Sequence, residues 1–293
     1  NDKFEADRTG LSATHEYDLG SGTTLLTNFY YSNFNRDWWR QSSNSTDGQH
    51  AGCNTTFVVD GVSATFTDHR LAGRAVDPST QFICNQGRLR SYSTWGIEPR
   101  LTMEHPLGEF QTGVKAHIEE QDRKQVNGAA STGRTGTTTE DSTRESMAYS
   151  AFIANRFDVG QVSITPILRY ENIDAERTSN LPGGLPSSTR ISETMPGIGV
   201  TWNPNKVLTV FSSMHKGFAP PRVEDLITAT NTATTVTDVD AEESTNFELG
   251  MRSQPLAGVL LQAAYFRSDF QNLIAAGSIA GGSTPLSQGK ALF

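Results

Sequence analysis

The chain has 293 residues, of which 35% are hydrophobic and 9% aromatic, and its formal net charge is −8. No stretch of 18 or more apolar residues occurs, which excludes a helical membrane protein but not a membrane β-barrel, whose strands are apolar on one face only. The acidic balance, without a dense basic stripe, argues against a dedicated nucleic-acid binder. The sequence opens at Asn1 without a signal peptide, so we expect a piece of a longer protein.

Alternation of apolar and polar residues predicts β-strands along most of the chain. From residue 23 the sequence TTLLTNFYYSNFNRDWW places Leu25, Phe29 and Tyr31 on one face. Trp95 and Ile97 share a face of a later segment, and similar alternation follows from residues 109 and 161. A period of two is typical of strands with one apolar and one polar face.

The connections between these strands alternate between short and long. The short ones, built from Gly, Pro, Asn and Asp as tight hairpins require, lie near residues 19–21, 105–108, 158–160, 203–206 and 254–258. The long polar ones lie near residues 42–87, 128–143, 178–189, 219–243 and 276–287. In an up-and-down sheet this alternation collects all short turns at one end, which is typical of an outer-membrane barrel.

Strand length favours a tall barrel. The strands that begin near residues 23 and 88 are predicted to run about 18 residues, or about 60 Å. At a tilt near 40° about 45 Å remains along the membrane normal, so the strands project beyond an apolar band of about 25 Å. We expect about ten strands and an eleventh from Gln288. Because unpaired edges are not tolerated in lipid, the chain is a fragment or a small closed barrel, and we interpret its end at Phe293 as a truncation.

The two cysteines, Cys53 and Cys84, lie in one long polar segment about 30 residues apart. No metal-ligand spacing such as C-x2-C is present. A local disulfide that closes a surface loop in an oxidising compartment is the preferred interpretation. Two free thiols in a reducing compartment, or metal binding, are the alternatives.

Three segments near the end of the chain resemble TonB-dependent outer-membrane receptors. They are SSMHKGFAPPRVEDLI (212–227), DAEESTNFELGMR (240–252) and AAYFRSDFQNLI (263–274) followed by QGKA (288–291). The resemblance implies an all-β fold, an antiparallel up-and-down transmembrane β-barrel of 22 strands. Residues 1–293 would be part of that barrel, and the plug domain would lie outside this chain.

A further segment, NFNRDWWRQ (33–41), leads into the cysteine-bearing loop and is similar to ferric dicitrate receptors. Receptors for another ferric siderophore are the alternative. The resemblance implies uptake of a ferric chelate, most simply ferric citrate, across the outer membrane of a Gram-negative bacterium. The implied partners are the chelate, TonB through a plug segment, and outer-membrane lipid. We expect a monomer that needs no resident cofactor and no protein-bound metal and does not bind nucleic acid.

Arginine outnumbers lysine by 18 to 6. Ferric citrate is anionic and ringed by carboxylates, which a guanidinium contacts through two parallel hydrogen bonds. We therefore expect ligand binding by six residues near the long-loop end of two strands. They are Arg36, Arg40, Arg88, Arg90, Trp38 and Trp39. The alternatives are solvated rim arginines paired with acidic neighbours, and tryptophans of an interfacial belt.

No enzyme motif is present in the sequence. We find no G-x-S-x-G, no phosphate-binding glycine loop and no H-E-x-x-H. Adjacent carboxylates such as Glu119 and Glu120 fall on opposite faces of one strand and cannot converge. We expect no enzymatic activity. A passive porin and a β-rich surface adhesion protein are the alternatives from other classes.

Overall fold

The computed structural model describes residues 2–40, 56–76, 85–128, 132–223, 227–229, 234–236, 240–275 and 286–293. Its elements, in chain order, are β1 (Lys3–Gly20), β2 (Thr23–Arg40), β3 (Phe57–Val59), β4 (Val62–Ala64), α1 (Phe66–Leu71), β5 (Asn85–His105), β6 (Gly108–Gly128), β7 (Gly136–Val159), β8 (Val162–Ser179), β9 (Pro186–Asn205), β10 (Leu208–Ala219), β11 (Ile227–Ala229), β12 (Thr234–Val236), β13 (Glu242–Leu256), β14 (Val259–Ala275) and β15 (Leu286–Leu292). Within these ranges no helix is long and apolar enough to cross a membrane.

Eleven strands form one antiparallel sheet in the order β1-β2-β5-β6-β7-β8-β9-β10-β13-β14-β15. Neighbours in the sheet follow one another along the chain, so the predicted all-β, up-and-down class is confirmed. The eleventh strand, β15, begins two residues before the predicted Gln288. Over the ranges described, the sheet is not closed, and β1 and β15 are its end strands.

Five two-residue turns connect the long strands at one end of the sheet, as the positions of the short connections predict. The first turn consists of Ser21 and Gly22, whose φ angles are 54° and 72°. Two consecutive positive φ values define the turn whose twist matches that of paired strands, and glycine adopts this conformation readily. The other four turns are residues 106–107, 160–161, 206–207 and 257–258.

The five longer connections lie at the opposite end of the sheet. Two are much shorter than predicted. The β8–β9 connection spans residues 180–185 instead of 178–189. In the other, β6 and β7 pair as far as Gly128 and Gly136, which leaves only residues 129–135 instead of 128–143. Its Thr-rich composition suggested a loop, but Thr is also a good strand former when it has a partner strand. The first connection contains the β3–β4 hairpin and α1. Cys53 and Cys84 lie outside the described residues, so their disulfide stays a prediction.

Alternation along the strands gives the sheet two faces of different chemistry. The outer face carries the cross-strand row Tyr31, Trp95, Ile118 and Met147. The inner face carries the row Tyr92, Gln121, Arg144 and Arg177. Large exposed apolar side chains therefore lie mainly on the outer face, and the charged residues described below lie on the inner face.

Strand β7 shows how far the apolar part of the outer face extends. Its outward residues are apolar at Met147, Tyr149, Ala151 and Ile153 but polar at Asp141, Thr143 and Glu145. The segment from Met147 to Phe157, whose outward residues are apolar except for Asn155, spans about 33 Å along the strand. This is about 25 Å along the normal of a bilayer at the usual tilt, which matches an apolar band. The remainder of β7 projects beyond that band on the side of the long connections.

Candidate functional site

The four predicted arginines all lie on the inner face, in the part of β2 and β5 beyond the apolar band. Arg36 is paired with Arg90, Trp38 with Arg88, and Arg40 with Gln86. Residues directly opposite each other on antiparallel strands point to the same side of a sheet. The register thus brings Arg36, Arg40, Arg88 and Arg90 together on one surface.

Trp38 lies between two of these arginines. The guanidinium carbons of Arg36 and Arg40 are 5.6 Å and 5.5 Å from the centre of the Trp38 ring. Contacts of this length are cation–π interactions, which fix the orientation of the guanidinium planes. The Gln86 amide oxygen accepts hydrogen bonds from Arg88 at 2.9 Å and from Arg40 at 3.4 Å.

The structure places Trp39 apart from the other five predicted residues. Because side chains alternate along a strand, Trp39 lies on the opposite face of β2 from Trp38, and only 4% of its surface is exposed. Its ring packs over Gly87, where a Cβ atom would lie 2.7 Å from the indole. Arg134 covers the ring at 5.4 Å. Trp39 thus serves the packing of the β2–β5 pair rather than the inner face.

Arg90 is the most deeply buried of the four predicted arginines, with 6% of its surface exposed. Its Nη1 atom donates hydrogen bonds of 2.9 Å to the carbonyl oxygens of Leu89 and Lys124. Burial, followed by the charge of Arg123, lowers the pKa of Arg90 to about 10, and the Glu140 carboxylate opposes this shift. Arg90 therefore keeps its positive charge at neutral pH.

Three further arginines on the inner face were not predicted from the sequence. Arg123 lies opposite Arg90 on β6, and Arg144 of β7 lies opposite Arg177 of β8. Arg144 and Arg177 are 5% and 9% exposed. Together with Arg36 and Arg90, these residues form what we call the arginine cluster: Arg36, Arg90, Arg123, Arg144 and Arg177.

One carboxylate, that of Glu140, lies inside the arginine cluster. Its oxygens are 3.4 Å from Nε of Arg123 and 3.6 Å from an Nη2 atom of each of Arg90, Arg144 and Arg177. The Ser142 hydroxyl donates to the same carboxylate at 3.4 Å. Four guanidinium groups thus share one acidic side chain on the inner face of β5–β8.

Alternation alone could have placed the three additional arginines on one face of their own strands. The pairing between strands could not be obtained in this way, because a register shift of one residue reverses the face. A β-bulge at residues 125–126 of β6 and 138–140 of β7 adds such a shift near Glu140. The sequence offered no signal that would locate this bulge.

A cavity of about 530 Å³ adjoins the arginine cluster on the inner face. Residues of β5–β9 form its wall, and the segment 220–223 after β10 covers it. Arg144, Gln121 and Tyr92 line its side nearest the cluster, and His117 and Glu119 also line it. The cavity therefore joins a cationic surface to a mixed polar and apolar wall, which is the usual composition of a ligand pocket.

His117 belongs to a hydrogen-bonded chain on this wall. The Tyr30 hydroxyl lies 2.5 Å from Nδ1 of His117, and Nε2 of His117 lies 2.8 Å from the Glu119 carboxylate. Tyr30 reaches His117 across Gly96, where any side chain would collide with the phenol. Among the residues described, no group of three His, Cys, Asp or Glu side chains is arranged to hold a metal ion.

The connection after β10 is anchored to the arginine cluster. Nη1 of Arg177 donates a 3.0 Å hydrogen bond to the carbonyl oxygen of Ile227. Ile227 is fully buried and packs with Ala175, and Ile191 contacts the same small core. Strand β11 thus lies over the inner face of β8 and β9.

The family model described as "TonB dependent receptor-like, beta-barrel" matches residues 1–291. The chain belongs to the TonB-dependent receptor family. Barrels of this family reside in the outer membrane of Gram-negative bacteria, which agrees with the apolar outer face of the sheet. The predicted family and localisation are thus confirmed. No curated protein sequence matches the receptor chain.

Solved structures of receptors share this fold. The unliganded ferric citrate transporter FecA superposes with a TM-score of 0.73 at 15% identity, over 99% of this chain and 38% of that structure. The ferric-catecholate import receptor Fiu from E. coli K12 gives 0.67 at 14%, over 99% and 44%. The siderophore receptor PiuA from Acinetobacter baumannii gives 0.66 at 13%, over 99% and 43%. The receptor chain thus spans about two fifths of the length of these structures.

Proposed function

We propose that this chain is the part of a TonB-dependent receptor barrel that binds an anionic ferric chelate, most simply ferric citrate. The observation that carries the proposal is the arginine cluster, in which four guanidinium groups surround the carboxylate of Glu140. The cluster lies on the inner face beyond the apolar band, where a ligand arriving from outside would meet it.

The chemistry of guanidinium supports a carboxylate-rich ligand. Each guanidinium presents several N–H groups in one plane and can form two parallel hydrogen bonds with a carboxylate. Because Arg90 and Arg144 are largely buried, their attraction for an anion is screened less than it would be in water. Trp38 holds Arg36 and Arg40 in fixed planes, so less side-chain entropy is lost when a ligand binds.

Transport itself involves parts of the receptor beyond this chain. We propose that a plug segment closes the barrel below the ligand and engages TonB, which drives release of the chelate inward. The receptor would act as a monomer in outer-membrane lipid, without a resident cofactor or an enzymatic step. A passive porin and an adhesion protein are set aside, because the chain belongs to a receptor family.

A titration of the purified full-length receptor in detergent tests this function. Ferric citrate and an uncharged ferric hydroxamate are titrated separately, and binding is followed by the quenching of tryptophan fluorescence. We expect ferric citrate to bind at least about tenfold more tightly, since the cluster offers cations to a polyanion and little to a neutral complex. Equal or tighter binding of the neutral chelate would contradict the proposal.

A ferric catecholate is the second candidate ligand. Such complexes are also anionic, and their aromatic rings suit contacts with Trp38 and Tyr92 on the inner face. The same titration with a ferric tris-catecholate distinguishes the two. If the catecholate binds more tightly than ferric citrate, the ligand is reassigned and the arginine cluster keeps its role as the anion site.

A further inference from the structure

Glu140 occupies the position in the arginine cluster that a ligand carboxylate would need. The inner-face positions of β2, β5, β6, β7 and β8 at this level carry seven arginines and one acidic residue, Glu140. The arginines are Arg36, Arg40, Arg88, Arg90, Arg123, Arg144 and Arg177. The Glu140 side chain is 21% exposed, so it remains accessible from the interior of the barrel.

The contacts of Glu140 with the guanidinium groups are long. All four are 3.4–3.6 Å, whereas charge-assisted N–H···O bonds are typically about 2.7–2.9 Å. Three of the four converge on a single oxygen, Oε1. A ligand that carries several carboxylates could offer each guanidinium a shorter contact than the shared oxygen does.

A β-bulge lies directly beside Glu140. Glu140 pairs with Gln125, but Val126 pairs with Thr138, so Thr139 is an extra residue in β7. A β-bulge interrupts the ladder locally and bends the strand. The regular pairing resumes at Glu140 itself, so the bulge lies directly beside the residue that contacts the four arginines.

We propose that Glu140 is a built-in competitor of the ligand. This inference rests on the proposed binding of an anionic chelate. The Glu140 carboxylate holds the arginines together when the receptor is empty, and the chelate displaces it on binding. A ligand must then supply more negative charge than one carboxylate, so the receptor discriminates against singly charged anions. Glu140 is in this sense a residue that determines specificity without contacting the iron.

Substitution of Glu140 by glutamine tests the competition directly. The full-length receptor is titrated with ferric citrate, and the ability of acetate to inhibit that binding is measured in parallel. We expect Glu140→Gln to bind ferric citrate about tenfold more tightly and to be inhibited by acetate at an at least tenfold lower concentration. The matched control is Glu176→Gln, which removes one exposed carboxylate from the outer face of the neighbouring strand β8 and should change neither value.

A purely structural role for Glu140 gives the opposite result. If the carboxylate only offsets repulsion among the arginines, then Glu140→Gln lowers both the ferric citrate affinity and the thermal midpoint, and the inference is overturned. Should Glu140→Gln fail to fold, Glu140→Asp distinguishes the two roles, because its shorter side chain moves the charge away from the arginines. Competition then predicts a smaller gain in ferric citrate affinity than for Glu140→Gln. A structural role predicts a loss of that affinity. If the wild-type receptor binds no anionic chelate, the proposed function fails first and the inference falls with it.

Discussion

Arg36 and Arg90 lie directly opposite each other across the β2–β5 pair, on the inner face of the sheet. Like charges at directly opposed positions destabilise a sheet unless an anion lies near them. Glu140 supplies part of that compensation to Arg90 from a distance of 3.6 Å. An anionic ligand bound at this pair, as proposed, would therefore also relieve the repulsion between Arg36 and Arg90.

Removal of Arg36 is predicted to weaken ferric citrate binding. Arg36→Ala deletes one guanidinium and its contact with Trp38, and a hydrogen bond to a charged group contributes about 1.5–3 kcal/mol. We expect an increase of at least about tenfold in Kd, measured by titration of the full-length receptor. Arg190→Ala is the control, because Arg190 pairs with Asp174 on the exposed outer side of the sheet. Equal affinity in wild type and Arg36→Ala would remove Arg36 from the site.

Ionic strength should reduce the binding of ferric citrate but not that of a neutral chelate. Salt screens the attraction between the arginine cluster and an approaching polyanion, and the screening length falls from about 14 Å to about 4 Å between 0.05 and 0.5 M salt. We expect the association rate constant, measured by stopped-flow fluorescence, to fall by about tenfold over this range. A rate constant that does not respond to salt would show that the cluster does not guide the ligand.

Gly87 should tolerate no side chain beneath Trp39. A Cβ atom at residue 87 would lie 2.7 Å from the indole, so Gly87→Ala must displace the ring or separate β2 from β5. We expect a loss of about 1–3 kcal/mol in the free energy of unfolding, seen as a lower thermal midpoint. Gly199→Ala in β9 is the control, since a Cβ atom there meets nothing within 4 Å in the described chain. Equal midpoints for the two variants would mean that Trp39 does not depend on Gly87.

The lipid-facing band is tested by an arginine placed at two depths of the same strand and face. Residue Ile97 of β5 lies within the apolar band, whereas Ser93 lies nearer the edge of that band. We expect Ile97→Arg to cost about 2–4 kcal/mol and Ser93→Arg about 1 kcal/mol or less. The measurement is the denaturant midpoint of the receptor refolded into phosphatidylcholine vesicles. Equal costs would contradict the assignment of the outer face to lipid.

Much of the fold follows from local rules that the sequence displays. The two-residue period predicts strands and faces, and clusters of Gly, Pro, Asn and Asp predict every two-residue turn. The placement of Arg36 with Arg40, and of Arg88 with Arg90, follows from the same period. These features depend only on residues that are near one another in the chain.

The set of residues that meet at the site could not be predicted from residues that are neighbours in the chain. Glu140, Arg144 and Arg177 come together through the registers of three strand pairs and a bulge, which a single sequence does not specify. Trp39 lies on the opposite face from Trp38, as alternation requires, although the motif suggested that both serve the ligand. The roles in ligand binding predicted for all six residues stay predictions: Arg36, Arg40, Arg88, Arg90, Trp38 and Trp39.

The central claim, that the arginine cluster binds the ferric chelate, is tested most directly by locating the iron. A crystal of the full-length receptor is soaked in ferric citrate, and anomalous differences are collected at the iron absorption edge. We predict one iron peak above the inner face, between Arg36, Arg90 and Arg144, with the Glu140 carboxylate withdrawn from the guanidinium groups. An iron peak at another place in the barrel, with the arginine cluster still closed around Glu140, would contradict the account.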